Sequence, residues 1–257
     1  MLNSPAPSDP TKARRLLILG GTREARELAH KLGMDDRWHI ISSLAGRTRT
    51  PLLPQGETRT GGFGGQDGLR DYLVTNAIEV VADATHPYAV EISARTQRIA
   101  ADIGIPYLRL ERPPWLPGPG DDWRHVTTTP EAARILPTGA RVFLTVGRQS
   151  LGIFLARRDV QLVARMIEPP SLVIPDYCEL ILARPPFTIT GESNLMNQHA
   201  ITHLVTKNAG GNDVAPKLAA AHRLHIPVIM IDRPEHQPAA SATSVEEMMA
   251  QLQSHVG

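Results

Sequence analysis

The stretch from 16 to 33, LLILGGTREARELAHKLG, constrains the fold more than any other part of this chain. A short apolar run ends in Gly20-Gly21-Thr22 and passes directly into a segment with helical spacing of apolar residues at Ala25, Leu28, Ala29 and Leu32. A strand that feeds a helix through a glycine turn is the opening of a β-α-β unit. The turn and the helix N-terminus aim backbone N–H groups at whatever lies above the strand, an arrangement suited to phosphate.

Strand-length apolar runs alternate with helix-length segments through most of the sequence, which predicts an α/β fold with mainly parallel sheets. Strands are expected over 15–20, 39–44, 80–84 and 107–110, with helices over 22–32, 68–76 and 89–103. The segment 111–123, ERPPWLPGPGDDW, carries four prolines and two glycines and forbids regular structure, so it marks a domain boundary. Beyond it, strands are expected over 141–146, 161–166, 180–183, 203–206 and 228–231, and helices over 130–136, 149–156, 193–200, 214–222 and 244–254. The organisation read from this pattern is a loose tail (1–13), a Rossmann-like dinucleotide domain (14–112), a linker (113–123) and a second Rossmann-like domain (124–257). Two such doubly wound lobes, facing each other, would enclose one crevice beyond the carboxyl ends of their strands. No internal sequence repeat relates them.

The length of 257 residues gives ample surface to bury without staples. Cys178 is the single cysteine, so no intramolecular disulfide can form, and its expected role is a small buried side chain in a reducing cytoplasm. The first dozen residues lack the apolar core of a secretory signal, and no stretch has the length and hydropathy of a membrane span. Basic and acidic residues balance at 27 and 26, with no Lys/Arg block of the kind that binds nucleic acid. Arginine dominates the cations, since lysine occurs only at 12, 31, 207 and 217. A GC-rich genome produces the same bias, but a guanidinium also grips carboxylate or phosphate through paired hydrogen bonds.

The candidate chemistry lies at strand ends. GGTREA departs from the full G-x-G-x-x-G pattern, because Thr22 and Ala25 stand where the later glycines would. An NAD-selective site places an acidic residue about 20 positions further on, against the ribose diol. Here the second strand instead ends in Ser42-Ser43-Leu44-Ala45-Gly46-Arg47. Two hydroxyls and a guanidinium with no acid favour a 2′-phosphate, hence NADPH over NADH. The segment 58–69, TRTGGFGGQDGL, has five glycines in its last nine positions and suits either close backbone approach to a ligand or a flexible surface hairpin.

The third expected strand ends in Asp83-Ala84-Thr85-His86-Pro87-Tyr88-Ala89, which reads as a capped helix start, with Thr85 as cap and Pro87 in the first turn. His86 and Tyr88 could donate toward the ligand, or the histidine could be purely structural. In the second lobe, strands end at Gly147-Arg148-Gln149-Ser150 and at Lys207-Asn208-Ala209-Gly210-Gly211, which places a cation at each open edge, for ligand contact or as a solvated loop charge. Metal binding is not expected, since His203 of the His199/His203 pair begins a strand. None of the four tyrosines has a lysine four positions later, which weighs against short-chain dehydrogenase chemistry.

Taken in order, LILGGTREARELA, SSLAGRT, GGFGG, DATHPYA, LRLERPPW, FLTVGRQ and LVTKNAGG resemble the motif series of the precorrin-6A reductase family of cobalamin biosynthesis, over about 16–232. The resemblance implies NADPH-dependent reduction of one double bond of the precorrin-6A macrocycle to give precorrin-6B. It places Gly20, Gly21, Thr22, Glu24, Ser42, Ser43, Arg47, Gly62, Gly64, Thr85, His86, Pro87 and Tyr88 on the cofactor side. Gly147, Arg148, Lys207, Asn208 and Gly211 would meet a tetrapyrrole rich in carboxylates. Lys207, His86 and Tyr88, in that order, are the candidate proton donors. Neighbouring pathway enzymes are expected as transient partners. Three alternatives stand beside this reading: the cobalt-precorrin-6A enzyme of a sister branch, a non-enzymatic NADP sensor that would bind NADPH without oxidising it, and a sugar-nucleotide transferase that would ignore NADPH.

Overall fold

The computed structural model describes residues 13–46, 51–235 and 239–255. Two compact units form, one from the residues through Arg112 together with those from Glu235 onward, the other from Pro113–Pro234.

In the first unit, strands β1 (Arg14–Leu19), β2 (Trp38–Leu44), β3 (Glu57–Thr60), β4 (Val80–Asp83), β5 (Tyr107–Leu110) and β12 (Ala240–Ala242) build one sheet. Its order is β12-β5-β4-β1-β2-β3 and every pair is parallel. Helices α1 (Arg23–Leu32), α2 (Gly65–Thr75), α3 (Val90–Ile103) and α8 (Val245–Gln253) belong to this unit. Alternate residues of β1 serve the two faces of the sheet. Leu16 and Ile18 pack with Leu28 and Leu32 of α1 and with Met248 and Leu252 of α8. Leu17 and Leu19 pack with Leu69 and Leu73 of α2 and with Ile99 of α3. Burial on both faces explains why this strand reads as a continuous apolar run. Each such fully buried leucine or isoleucine contributes about 1.5–3 kcal/mol.

The second unit repeats the plan with β6 (Trp123–Val126), β7 (Arg141–Thr145), β8 (Gln161–Met166), β9 (Cys178–Leu182), β10 (His203–Lys207) and β11 (Val228–Ile231) in the order β6-β11-β10-β7-β8-β9. Its helices are α4 (Thr129–Arg134), α5 (Leu151–Leu155), α6 (Ile189–Gln198) and α7 (Pro216–Arg223). Met196 of α6 and Leu218, Ala220 and Ala221 of α7 pack with Phe143, Val163, Leu204 and Met230 of the sheet. Read from β3 and from β9, both sheets run third, second, first, fourth, fifth strand. The sixth position is then filled by the strand that follows each crossing between the units.

That exchange corrects the expected domain limits. The segment 124–257 does not stay in one lobe, because β12 pairs with β5, Ala240 opposite Leu108, and α8 closes over the first sheet. Glu111 N also donates to Ala242 O at 2.8 Å. The expected linker 113–123 likewise ends inside structure, since Trp123 opens β6 opposite Val228. The expected tail, 1–13, lies outside the described residues except for Ala13.

Candidate functional site

The strand order of the first sheet reverses between β1 and β4, so the carboxyl ends of these two strands flank the position where doubly wound sheets take ligands. Thr22 joins them. Its hydroxyl donates to Ala84 O at 2.7 Å and accepts from Ala25 N at 3.1 Å, so one side chain both caps α1 and ties the glycine turn to the end of β4. Backbone bonds stitch the neighbouring ends together, Gly20 N to Ser43 O at 2.9 Å, Ala84 N to Leu19 O at 2.9 Å and Gly61 N to Leu44 O at 2.8 Å. Gly21 has φ +108, a conformation open to glycine and strained for other residues.

At the end of β2 the two serines point to opposite faces. Ser42 is 1% exposed and its hydroxyl has no protein partner among the described residues. Ser43 accepts from Arg59 of β3, its register neighbour, at 2.7 Å. Arg59 also donates to Gly61 O at 3.1 Å and Gly62 O at 2.9 Å and lies 3.8 Å over the Phe63 ring. It therefore shapes the loop that carries Gly62 and Gly64. Helix α2 begins at Gly65, earlier than the expected position 68, and Gly68 is needed for that packing. A Cβ there would sit 1.9 Å from Phe63 O. Arg47 lies outside the described residues.

The end of β4 differs from its sequence reading. Thr85 does not cap α3, which starts at Val90 with Ala89 in the cap position and no side-chain cap bond. The residue that wins the Thr85 hydroxyl is Asp83, fully buried. Its Oδ1 accepts from Thr85 N at 3.0 Å and Thr85 Oγ1 at 2.7 Å, and its Oδ2 accepts from Tyr107 Oη at 2.6 Å and Arg109 Nη1 at 3.0 Å. Arg109 passes the network to Ser93 at 2.6 Å. Burial first, and then the Asp83 carboxylate, push the Tyr107 hydroxyl pKa well above the ordinary phenol value, so it remains a donor. The turn held in this way presents His86, exposed, beside Tyr88, half-buried, with ring centroids 5.5 Å apart. Pro87 is buried in the turn before the helix, and with Glu24, Thr85, Leu110 and Arg112 it lines a small cavity. Glu24 is paired there with Arg112 at 2.5 Å.

In the second sheet the order reverses between β7 and β10. Gly147 (φ +82) leads from β7 into a 3₁₀ turn (Arg148–Ser150) with Arg148 exposed. Lys207 ends β10 and is half-buried. Asn208 faces inward: its Oδ1 accepts from Trp115 N at 2.8 Å and its Nδ2 donates to Trp115 O at 3.0 Å. Trp115 Nε1 donates in turn to Gly211 O at 3.2 Å. Asn208 and Gly211 thus fasten the proline-rich crossing segment to the loop after Lys207. Behind that loop, Lys217 is 4% exposed, donates to Val214 O at 3.0 Å and lies 4.8 Å over the Trp115 ring. Arg165 and Glu192 form a buried two-bond ion pair, and Arg165 stacks 3.6 Å over Phe187.

The precorrin-6x reductase model, CbiJ/CobK, matches residues 15–253 of the chain. The chain belongs to this family. It is 45% identical to the precorrin-6A reductase of Rhodococcus erythropolis over 226 residues, 88% of the chain and 91% of that relative. A solved structure of CobK precorrin-6A reductase superposes with a TM-score of 0.89 at 40% identity, covering 94% of the chain and 97% of its own. The cobalt-precorrin-6A reductase of Priestia megaterium is 31% identical over 255 residues, 92% of the chain and 97% of that relative.

Seen as a member of this reductase family, the chain brings Gly20, Gly21, Thr22, Ser43, Thr85 and their neighbours to one edge of the first sheet, and Gly147, Arg148 and Lys207 to the matching edge of the second. Sequence reading missed Arg59, Tyr107, Arg109 and Lys217. Arg59 sat in a run noted only for glycines, and the other three act through contacts distant in sequence. Cys178 is buried, and burial raises its thiol pKa. Among the described residues no group of three or more His, Cys, Asp or Glu side chains is placed to hold a metal, and no helix is long and apolar enough to cross a membrane.

Proposed function

We propose that this chain catalyses NADPH-dependent reduction of one double bond of precorrin-6A to give precorrin-6B. The observation that carries the reading is the membership of the precorrin-6x reductase family over 15–253, joined to a glycine turn at the strand-order reversal of the first sheet. The higher identity to the metal-free precorrin-6A enzymes than to the cobalt-substrate relative favours the metal-free macrocycle.

The chain's own residues fit a dinucleotide phosphate. The Gly20-Gly21-Thr22 turn and the N-terminus of α1 suit the pyrophosphate, and Ser43 with its bound guanidinium lies at the second strand end, where the adenosine ribose of such folds is read. When bound, the nicotinamide supplies the hydride. The turn that Asp83 anchors offers His86 and Tyr88 to the cofactor, and Glu24, Thr85 and Pro87 shape the cavity wall beside it. Arg148 and Lys207 are the cations proposed for the macrocycle's carboxylates, with Gly147 and Gly211 allowing close approach. Asn208 is proposed to act by holding the loop after Lys207. The proton that completes the reduction comes from Lys207, His86 or Tyr88, in that order of preference. The cytoplasm, with NADPH at hand, is the proposed setting.

The test is anaerobic mixing of protein, NADPH and precorrin-6A, followed by nicotinamide absorbance and product mass, with NADH and cobalt-precorrin-6A in parallel. Loss of one NADPH per gain of two hydrogens is expected, faster than in either parallel arm. Absence of turnover despite tight NADPH binding would favour a sensor. Removing the donor side chain should lower turnover by about 10²-fold while NADPH affinity holds. Undiminished turnover in Lys207→Met, His86→Phe and Tyr88→Phe alike would eliminate all three.

A further inference from the structure

Three of the buried or half-buried arginines of the first unit, Arg70, Arg109 and Arg112, are paired with carboxylates. Arg109 meets Asp83 at 3.0 Å and Arg112 meets Glu24 at 2.5 Å. Arg59 is different. Its partners are the Ser43 hydroxyl, two backbone carbonyls and the faces of Phe63 and Tyr72, the latter ring centroid 5.1 Å away. None of these carries charge, and among the described residues no carboxylate pairs with it. A half-buried cation with neutral partners only is costly to hold and attracts an anion strongly. Burial holds its pKa below the usual guanidinium value, which reports the same lack of compensation. These three hydrogen bonds use only part of the guanidinium's donor set, leaving N–H groups for a further acceptor.

Its place identifies the anion. Arg59 is the register neighbour of Ser43 at the carboxyl end of β2. In a sheet of this order, that strand end meets the 2′ position of the adenosine ribose, where an acidic residue selects a diol and an arginine admits a phosphate. We infer that Arg59 is the specificity-determining cation for the 2′-phosphate of the cofactor, and that Ser43 and the Gly61 and Gly62 carbonyls hold its guanidinium in place for that contact. The stack on Phe63 restricts the fork further, so that little side-chain freedom is lost when the phosphate arrives. The inference rests on the NADPH reading given above and adds to it the residue that distinguishes NADPH from NADH.

The experiment measures affinities of wild type, Arg59→Gln and Arg59→Lys for NADPH and NADH by nicotinamide fluorescence. Adenosine 2′,5′-bisphosphate and 5′-AMP serve as calorimetric probes of the adenosine half alone. Arg59→Gln should weaken NADPH and the 2′,5′-bisphosphate by roughly 10- to 100-fold, the range of a charge-assisted bond, and change NADH and 5′-AMP by less than about threefold. Arg59→Lys keeps the charge without the fork and should fall between. Equal losses for NADPH and NADH would overturn the inference, because a residue that merely holds the glycine loop acts on both. Undiminished NADPH affinity would overturn it too. Should Arg59→Gln melt well below wild type, Arg59→Lys decides by the same criterion, a larger loss for NADPH than for NADH. Failure of the wild type to bind NADPH at all would instead remove the cofactor reading beneath it.

Discussion

Asp83→Ala is expected to destabilise the first unit by about 3–5 kcal/mol, the cost of breaking a buried ion pair by removing one of its members. The carboxylate is 0% exposed and each of its oxygens accepts two hydrogen bonds, from Thr85 N and Oγ1 on one side and from Tyr107 Oη and Arg109 Nη1 on the other. Without it, the Arg109 guanidinium keeps Ser93 at 2.6 Å and a longer contact to Glu111 at 3.6 Å. Asp83→Asn should recover little, since whichever way the amide turns, its NH₂ faces two donors. The melting transition should fall by on the order of 10 °C. At temperatures where the variant remains folded, NADPH affinity should fall as well, because the Thr85–Tyr88 turn loses its anchor. Thermal denaturation followed by circular dichroism, paired with a binding titration, tests both parts. A melt within about 2 °C of wild type would show that the network is not the brace described here.

The second large effect is a pH dependence set by Lys217. Desolvation first, then the Arg165 guanidinium, lowers its ammonium pKa to about 7 from 10.5, with Glu192 opposing them. The folded value lies below the unfolded one. Below about pH 7 the amine is protonated in both states and the cost of burying the charge is at its full, constant value. Between there and about 10.5 the unfolded chain binds the additional proton, so stability rises with pH by up to about 1.4 kcal/mol per unit. Methionine has similar length and volume and no charge. Lys217→Met should therefore exceed wild type in stability by the greatest margin near pH 6. By pH 9 that margin should have shrunk by on the order of 2–3 kcal/mol, as an upper bound from the slope above. Urea denaturation at pH 6, 7.5 and 9 measures the difference directly. A margin that does not change with pH would show that the amine keeps one protonation state throughout.

The two sites of these predictions show where sequence reading stops. The central strands of both sheets were legible because burial on both faces writes an apolar run, as in LLIL of β1 and VFLT of β7. Three of the four outermost strands went unread. β3 is ETRT, β6 is WRHV and β12 is ASA, each with exposed positions and without an apolar run. Polar edge strands protect a sheet from pairing further, and the same composition hides them from a hydrophobicity pattern. Missing β12 also led to the wrong lobe for α8, whose apolar residues Val245, Met248 and Leu252 do not say which sheet they cover.

Thr85 shows the same limit on a smaller scale. A threonine ahead of a proline and an apolar helix reads as a cap, yet its hydroxyl is drawn to a buried carboxylate two residues earlier, because the cost of leaving Asp83 short of donors exceeds the gain from a cap. Arg59 was invisible as a site residue for a related reason. Its significance lies in the absence of a carboxylate around it, and an absence of that kind exists only once the chain is folded.

By itself, the sequence determined the α/β class, the glycine turn at the end of β1, the strand-end positions of Arg148 and Lys207, and the reductase family through its ordered motifs. The first three follow from periodicity and from residues adjacent along the chain, and the family from the resemblance of those motifs to a known series. Only the tertiary structure decided that β12 and α8 return to the first unit, that Asn208 faces Trp115, that Asp83 braces the His86–Tyr88 turn, and that Arg59 has no carboxylate partner among the described residues. Each of these depends on groups far apart in sequence competing for the same hydrogen bond or the same apolar surface, and the winner is set by which burial leaves the fewest polar groups unpaired.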